Sequence, residues 1–374
     1  MSAGIYVHLP YCASRCGYCA FVVSTDPTSK KDYLEALSGE IALVAPEARG
    51  ELFDTVYLGG GTPSLLDPGD IHRLLDRVRS SFSVAGGAEV TIEANPEDVT
   101  TGKRDAWRAA GVTRVSVGVQ SFSDRELSAV GRRHDAARAA EALGILAGTE
   151  LSISGDLILG LPEQTADSFR TSLESLVRRG VEHVSVYLLE WDKSKAIEED
   201  RRRAPERYLD DDAQAALWLE TGETLAALGF EHYEISNWAR PGRRSRHNVK
   251  YWLREPTLGL GVSAHEFFGG RRRANASGIA TYLERLAAGQ RAIALDRAVA
   301  AEEEASERIV LGLRLSSGVD RGEVETWVAA HGDPYLPGDW KAWGEAGWIA
   351  ESNGRVALTE RGFLVSNEIL CRFA

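Results

Sequence analysis

Short apolar runs rich in β-branched residues alternate with longer amphipathic stretches through the first half of the chain, and this pattern restricts the fold most strongly. The predicted strands are 5–9, 55–58, 90–94, 114–117, 152–159 and 183–188, and the clearest predicted helices are 31–44, 71–80, 136–146 and 168–179. Strands that alternate with helices predict a parallel sheet with crossover helices. The sequence therefore predicts an α/β fold, either a complete or partial (β/α)6 barrel or an open doubly wound sheet.

The positions of the unusual polar residues favour the barrel. Three cysteines follow the first predicted strand, a Gly-Gly-Gly-Thr-Pro run at 59–63 follows the second, and Glu93, Gln120 and Asp156 lie in or after later ones. The carboxyl ends of parallel barrel strands meet at one mouth, where barrel enzymes carry their sites. We therefore expect these residues to share one functional face.

Cys12, Cys16 and Cys19 are three of only four cysteines in the chain, and they lie within eight residues of one another. In a reducing compartment this clustering favours metal ligation or redox chemistry over a disulfide framework. Three thiolates on a cubane cluster of four irons leave one iron open to a small molecule. A structural zinc site is the alternative, but it needs a fourth Cys or His ligand. His8 or Cys371 could supply this ligand only if the fold happened to place it beside the three cysteines.

The spacing Cys-x3-Cys-x2-Cys, with Tyr18 before the last cysteine, resembles the signature of the radical S-adenosylmethionine (SAM) superfamily. The resemblance implies a 4Fe-4S cluster on the three cysteines, with the methionyl amine and carboxylate of SAM on the open iron. It also implies that SAM contacts residues at the barrel mouth. The expected SAM-binding residues are Tyr6, Gly60, Gly61, Thr62, Glu93, Gln120, Arg132 and Asp156.

Each of these residues also has an ordinary structural explanation. The glycines fit any tight turn, the carboxylates could cap a helix or pair with arginine, and Arg132 could be a solvated surface residue. By resemblance, Arg132 pairs with the methionyl carboxylate, and the glycine loop accepts the amine on its carbonyls. Glu93 and Asp156 are suited to hydrogen-bonding ribose hydroxyls or to offsetting the sulfonium charge.

Finer motifs resemble the coproporphyrinogen III oxidase-like family, and His247-Asn-Val-Lys-Tyr251-Trp252 resembles the HNxxYW motif of its haem chaperone branch, called HemW. The oxidases carry a further cysteine where this chain has Phe21, and they have a long N-terminal arm that we do not expect here. Both differences favour the chaperone branch. The resemblance makes His247 a candidate haem ligand, although His247 could instead only hydrogen-bond the region of Tyr251 and Trp252.

The function expected from the resemblance is a haem chaperone that binds a 4Fe-4S cluster, SAM and haem and delivers haem to apoproteins. Whether SAM is cleaved stays open, so no catalytic residue is assigned. Two alternatives remain. One is a radical SAM enzyme, either an oxygen-independent coproporphyrinogen III oxidase or a methyltransferase, and the other is a zinc-binding adaptor.

The chain of 374 residues is long enough for a barrel and an appendage. We expect a partial (β/α)6 radical SAM barrel at 1–240, a connecting segment with the HNxxYW motif at 241–300 and a C-terminal domain at 301–374. Two short strands around Asn353-Gly354 suggest that this last domain is a small α+β winged-helix-like module.

The formal net charge of −12 disfavours nucleic acid as a partner. The sequence shows neither a signal peptide nor an apolar run of membrane-spanning length, so we expect a cytoplasmic protein. The expected partners are haem, haem-accepting apoproteins, of which some are membrane-associated, and an electron donor for the cluster. A homodimer is a further expectation.

Overall fold

The computed structural model describes residues 2–331 and 336–373, which form fifteen strands and fifteen α-helices. The strands are β1 Ala3–Leu9, β2 Leu52–Gly60, β3 Ser83–Ala94, β4 Arg114–Gln120, β5 Ser152–Leu159, β6 His183–Leu188, β7 Glu231–Glu234, β8 Asn237–Ala239, β9 Thr257–Leu260, β10 His265–Phe268, β11 Arg271–Asn275, β12 Ile293–Ala298, β13 Val319–Asp320, β14 Ile349–Ser352 and β15 Arg355–Leu358. The helices are α1 Lys30–Val44, α2 Pro68–Ser81, α3 Thr101–Ala109, α4 Asp124–Ala129, α5 Ala136–Leu146, α6 Ala166–Val177, α7 Lys195–Arg203, α8 Asp211–Ala227, α9 Arg246–Trp252, α10 Ile279–Ala287, α11 Ala301–Gly312, α12 Arg321–His331, α13 Leu336–Glu345, α14 Glu360–Leu364 and α15 Ser366–Leu370.

The six predicted strands are present as β1 to β6, and they pair in parallel in sequence order. Their apolar side chains are buried because helices cover the sheet, as expected for parallel strands. Side-chain caps set where several crossover helices begin. Asp135 accepts a hydrogen bond from the Arg138 amide at 2.7 Å, and Thr165 forms a capping box with Ser168.

The large sheet has twelve strands, and within the described residues its two edge strands, β12 and β7, do not pair with each other. The barrel is therefore partial, as predicted. Helix α9 lies in the chain between β8 on one side of the sheet and β9 on the other, and it carries the HNxxYW motif. The motif thus lies in the connection that crosses from β8 to β9, which are on opposite sides of the six parallel strands.

The segment expected to be a connection continues the sheet. Strand β9 pairs in parallel with β1, and β10 to β12 follow in antiparallel order. The buried carboxylate of Glu40 on α1 holds this extension, because it accepts hydrogen bonds from the Gly261 amide at 2.7 Å, Asn275 Nδ2 at 2.6 Å and the Tyr282 hydroxyl at 2.7 Å. The boundaries at 240 and 300 stay predictions.

The C-terminal region has its own three-stranded antiparallel sheet, ordered β13, β15, β14. The predicted strands on either side of Asn353-Gly354 are present as β14 and β15. Asn353 and Gly354 have φ of 51° and 72°, the left-handed values that a two-residue turn between twisted strands requires. Within the described residues, no helix combines the length and apolar character needed to span a bilayer.

Candidate metal and cofactor site

The three cysteines lie on a loop that leaves β1 and is closed by backbone hydrogen bonds. The Cys12 amide donates to the Ser24 carbonyl at 2.9 Å, and the Ser24 amide donates to the Pro10 carbonyl at 2.7 Å. His8 Nε2 donates to the Val22 carbonyl at 3.0 Å, while its Nδ1 accepts from the Tyr6 hydroxyl at 3.0 Å. The loop that carries the thiols is therefore held in place by the strand that precedes it.

A second set of contacts holds the middle of this loop. The Gly17 amide donates to the Val130 carbonyl at 2.9 Å, and the Ser194 hydroxyl donates to the Gly17 carbonyl. Val130 follows α4 and Ser194 precedes α7, so Gly17 attaches the loop to two segments that are far apart in the sequence.

All three thiols are free and half-buried. The Thr62 hydroxyl donates to Cys12 Sγ at 3.3 Å, and Arg132 Nη1 lies 3.6 Å from Cys16 Sγ. Burial raises the pKa of the Cys12 and Cys19 thiols. Because thiolates are the metal-binding form, loading a cluster here would release protons and would be favoured by rising pH.

Within residues 2–331 and 336–373, no three His, Cys, Asp or Glu side chains lie close enough together to hold a single metal ion. In a cubane cluster each cysteine binds a different iron, so its ligands need not converge on one point.

The glycine loop after β2 packs directly on the cysteine loop. The Gly61 amide donates to the Leu9 carbonyl, and the Thr62 amide donates to the Tyr11 carbonyl, both at 2.9 Å. Gly60 has φ +105°, and a Cβ at that position would overlap the His8 ring. The glycine loop can pack this closely on the cysteine loop only because positions 60 and 61 carry no Cβ.

Glu93, at the carboxyl end of β3, is hydrogen-bonded to the same loop. It accepts from the Tyr57 hydroxyl at 2.8 Å and from the Gly60 amide at 3.1 Å. Burial raises the pKa of the Glu93 carboxyl to about 7, although these two hydrogen bonds oppose the rise. Its ionisation near neutral pH is therefore sensitive to any polar group that binds beside it.

Arg132 connects the thiol loop to residues at the ends of β3 and β4 and, through Asn95, to Thr62 after β2. Its Nη2 donates to Asn95 Oδ1 at 2.7 Å and to the Gly118 carbonyl at 2.8 Å, and Asn95 Nδ2 donates to the Thr62 hydroxyl at 3.2 Å. A chain of hydrogen bonds thus runs from Cys16 through Arg132, Asn95 and Thr62 to Cys12.

Two buried polar atoms beside this chain lack a partner: Arg132 Nε and Gln120 Oε1. Gln120 also has φ 66°, at a bulge where β4 pairs with β5. Buried polar atoms in proteins are nearly always hydrogen-bonded. A residue other than glycine that is held at positive φ indicates a functional constraint on its backbone. An unpaired donor and an unpaired acceptor fit a site for a polar ligand such as SAM.

Asp156, in the middle of β5, is hydrogen-bonded to three serine hydroxyls. Its carboxylate accepts from the Ser185 hydroxyl at 2.7 Å and the Ser116 hydroxyl at 3.0 Å, with Ser154 at 3.5 Å. Burial raises the pKa of the Asp156 carboxyl. Much of its hydrogen-bonding capacity is used within the protein.

Tyr6 and His247 lie next to each other on β1 and α9, with their ring centroids 6.5 Å apart. His247 Nδ1 is hydrogen-bonded to the Thr55 hydroxyl at 2.8 Å, and Nε2 to the Tyr251 hydroxyl at 3.0 Å. The ring packs against Gly4 and stacks on Tyr57 and, more distantly, on Tyr6. Burial lowers the pKa of His247 to about 3, so the imidazole is neutral at physiological pH.

Sequence reasoning missed several residues of this site. Asn95 follows Glu93 at the end of the same strand, and its amide could have been noticed by the rule that placed Glu93. Tyr57 and the serines around Asp156 alternate with apolar residues inside strands, where no local signal separates a ligand partner from a core residue.

The partial barrel and the thiol loop at its mouth define a protein of the radical SAM class, and comparisons with known proteins agree. The radical SAM superfamily model matches residues 6–176, and the HemN C-terminal domain model matches residues 299–365. The heme chaperone HemW of Mycobacterium tuberculosis is 35% identical over 372 residues, covering 98% of this chain and 93% of that protein. The chain belongs to the HemW family within the radical SAM superfamily.

Two further relatives support this assignment. The heme chaperone HemW of Bacillus subtilis is 31% identical over 376 residues, covering 98% of each chain. The structure of the coproporphyrinogen III oxidase HemN of Escherichia coli, described as a radical SAM enzyme, superposes with a TM-score of 0.85 and covers all of this chain and 90% of that one, at 24% identity. This similarity confirms the predicted partial barrel with a C-terminal domain. Membership in the superfamily implies a 4Fe-4S cluster and SAM as cofactors.

Proposed function

We propose that this chain is a haem chaperone that binds a 4Fe-4S cluster on Cys12, Cys16 and Cys19, SAM at the adjoining rim and haem near α9, and that it passes haem to apoproteins. The name of its full-length relatives, heme chaperone, supports this proposal. The rim set for SAM comprises the glycine loop, Glu93, Gln120 and Arg132, with Tyr6 and Asp156 behind it.

The observation that carries the proposal is the presence of two chemically different sets of residues along β1. Free thiols and unpaired polar atoms lie beyond its carboxyl end, whereas a set of aromatic rings around His247 lies near Gly4 at its start. The two sets adjoin at Tyr57, which stacks on the His247 ring and donates a hydrogen bond to Glu93 of the SAM rim. Haem near α9 and SAM at the rim would therefore bind next to each other in the same barrel.

An electron donor for the cluster, a homodimer, a membrane-associated recipient and a cytoplasmic location stay predictions. A second candidate function, coproporphyrinogen III oxidase, is favoured by the shared fold. Against it, Phe21, which replaces the further cysteine expected in the oxidases, is 67% exposed beside the thiol loop.

A product assay separates these functions. We expect anaerobically reconstituted protein to retain haem through gel filtration and to give no decarboxylated product from coproporphyrinogen III, SAM and a strong reductant. Decarboxylation without haem retention would identify an oxidase instead. Zinc in place of iron and acid-labile sulfide would identify a metal-binding adaptor.

Glu93 predicts a pH dependence for SAM binding. A carboxylate accepts hydrogen bonds from ribose hydroxyls better than a carboxylic acid does, and Glu93 has a pKa of about 7. Since Glu93 is mostly protonated at pH 6 and mostly ionised at pH 8, SAM affinity should rise about tenfold between those values. Equilibrium binding of SAM to the oxidised, cluster-loaded protein measures this.

Glu93→Gln should bind SAM weakly and with a much flatter pH profile. Glu150→Gln is the control, because the Glu150 side chain is 90% exposed and distant in the fold, and it should keep the wild-type profile. A Glu93→Gln profile that rises as steeply as that of the wild type would show that another group titrates.

A further inference from the structure

The residue expected to bind haem iron, His247, offers no free nitrogen in this structure. Its exposed fraction is 1%, and each ring nitrogen has a hydrogen-bond partner, Thr55 on one side and Tyr251 on the other. An iron atom could reach Nε2 only after the Tyr251 hydroxyl had moved away. Gly4 and the stacked Tyr57 ring enclose the imidazole further.

Tyr251 is accessible where His247 is not. It lies one turn after His247 on α9, and 41% of its surface is exposed. Its ring stands edge-on to the His247 ring, with centroids 5.2 Å apart. Tyr251 is therefore the member of this hydrogen-bonded pair that solvent reaches, whereas both nitrogens of His247 are enclosed.

Flat aromatic rings lie beside Tyr251: the His247 ring that it contacts is stacked on Tyr57, with centroids 5.1 Å apart, and on Tyr6, with centroids 6.5 Å apart. Leu253, two residues further, is 52% exposed, and Tyr187 on β6 is 44% exposed. Burial is the main cause that raises the pKa of both the Tyr251 and Tyr187 phenols, and the Glu93 carboxylate adds to both rises. Tyr187 is therefore a second exposed phenol with a raised pKa, and it lies on β6 and not on α9.

We propose that Tyr251, and not His247, supplies the protein ligand to ferric haem iron, and that His247 is a positioning residue that holds the phenol oxygen through its Nε2. The inference rests on the proposed haem-binding function. Tyrosine is an established axial ligand of ferric haem, and a hydrogen bond from a neighbouring imidazole fixes the orientation and basicity of such a ligand. Iron replaces the phenol proton, which leaves to solvent, and the imidazole remains neutral.

Thr55 completes this arrangement from the opposite side of the ring. Its hydroxyl, 2.8 Å from His247 Nδ1, can donate or accept, so it can serve either tautomer of the imidazole. When Tyr251 binds iron as phenolate, Nε2–H donates to the phenolate oxygen and Thr55 donates to Nδ1. The free protein can hold the opposite tautomer without any side chain losing its partner.

Resonance Raman and absorption spectra of haemin bound to the cluster-reconstituted full chain test this proposal. Wild type should show a ferric phenolate complex, and Tyr251→Phe should lose that signature. Loss of a residue that only hydrogen-bonds to a metal ligand lowers metal affinity roughly 10-fold to 100-fold. Removal of the ligand itself should therefore weaken haemin binding by at least about tenfold. Tyr187→Phe, which removes a second phenol that is exposed among the described residues, should keep the wild-type spectrum.

His247→Gln gives a readout that a purely structural role would not move. Glutamine can still hydrogen-bond Tyr251, so the phenolate signature should persist with a shifted iron–oxygen frequency. Circular dichroism and iron content establish that each variant is folded. An unchanged haem spectrum in Tyr251→Phe, or a nitrogen-ligated wild-type spectrum that His247→Gln abolishes, would overturn the assignment. If wild type bound no haemin at all, the proposed function itself would fail.

Discussion

Replacing any one of Cys12, Cys16 or Cys19 with serine is expected to abolish the iron–sulfur cluster. Each thiolate would hold a separate iron, and a hydroxyl does not replace a thiolate on that soft metal cluster. Reconstituted wild type should contain about four irons and four sulfides per chain, and each variant close to none. Iron and acid-labile sulfide analysis with the visible absorption spectrum measures this.

Cys371→Ser is the matched control. Cys371 is an exposed free thiol beyond α15, and its Sγ lies 3.1 Å from the Glu368 carbonyl. Its removal changes the same chemical group without touching the barrel mouth, so the cluster should form as in wild type. Full iron and sulfide content in all three loop variants would contradict the proposed ligand set.

Replacing Glu40 with leucine is expected to give the largest loss of stability in the barrel. The substitution leaves the Gly261 amide and the Tyr282 hydroxyl without their acceptor in a buried site, and it leaves Asn275 Nδ2 with only the Gly261 carbonyl. Each buried unsatisfied donor costs about 1–3 kcal/mol, so the total should reach about 3 kcal/mol or more. Thermal unfolding should begin at lower temperature, and limited proteolysis should cut first within 257–298.

Glu35→Leu is the control on the same helix. The Glu35 side chain is 70% exposed and pairs only loosely with Lys31, at 3.9 Å. Exposed pairs of this kind contribute roughly 0–1 kcal/mol, so the unfolding midpoint should hardly change. Equal midpoints for Glu40→Leu and wild type would show that the sheet extension does not depend on the carboxylate.

The strands and the mouth of the barrel could be predicted because their signals are local. The β-branched runs, the glycine loop and the thiol spacing each lie within a few residues, and parallel-strand geometry then places Glu93 near the thiols. The turn at Asn353-Gly354 could be predicted for the same reason. Asn followed by Gly readily adopts the left-handed backbone conformation that a two-residue turn requires at both positions.

The sheet extension and the environment of His247 could not be predicted, because both depend on contacts between distant parts of the chain. Glu40 and Gly261 are separated by 221 positions, and Thr55 and His247 by 192. Nothing in the motif His247-Asn-Val-Lys-Tyr251-Trp252 indicates that His247 is buried and Tyr251 is exposed. The role of each rim residue in SAM binding stays a prediction.

The central claim is that three thiolates leave one iron of a 4Fe-4S cluster open to SAM at the rim of the barrel. Electron paramagnetic resonance of the reduced, reconstituted protein with and without SAM tests it directly. We expect SAM to change the spectrum of the wild-type cluster, because its methionyl amine and carboxylate would bind the open iron. A reduced cluster whose spectrum is the same with saturating SAM would contradict it.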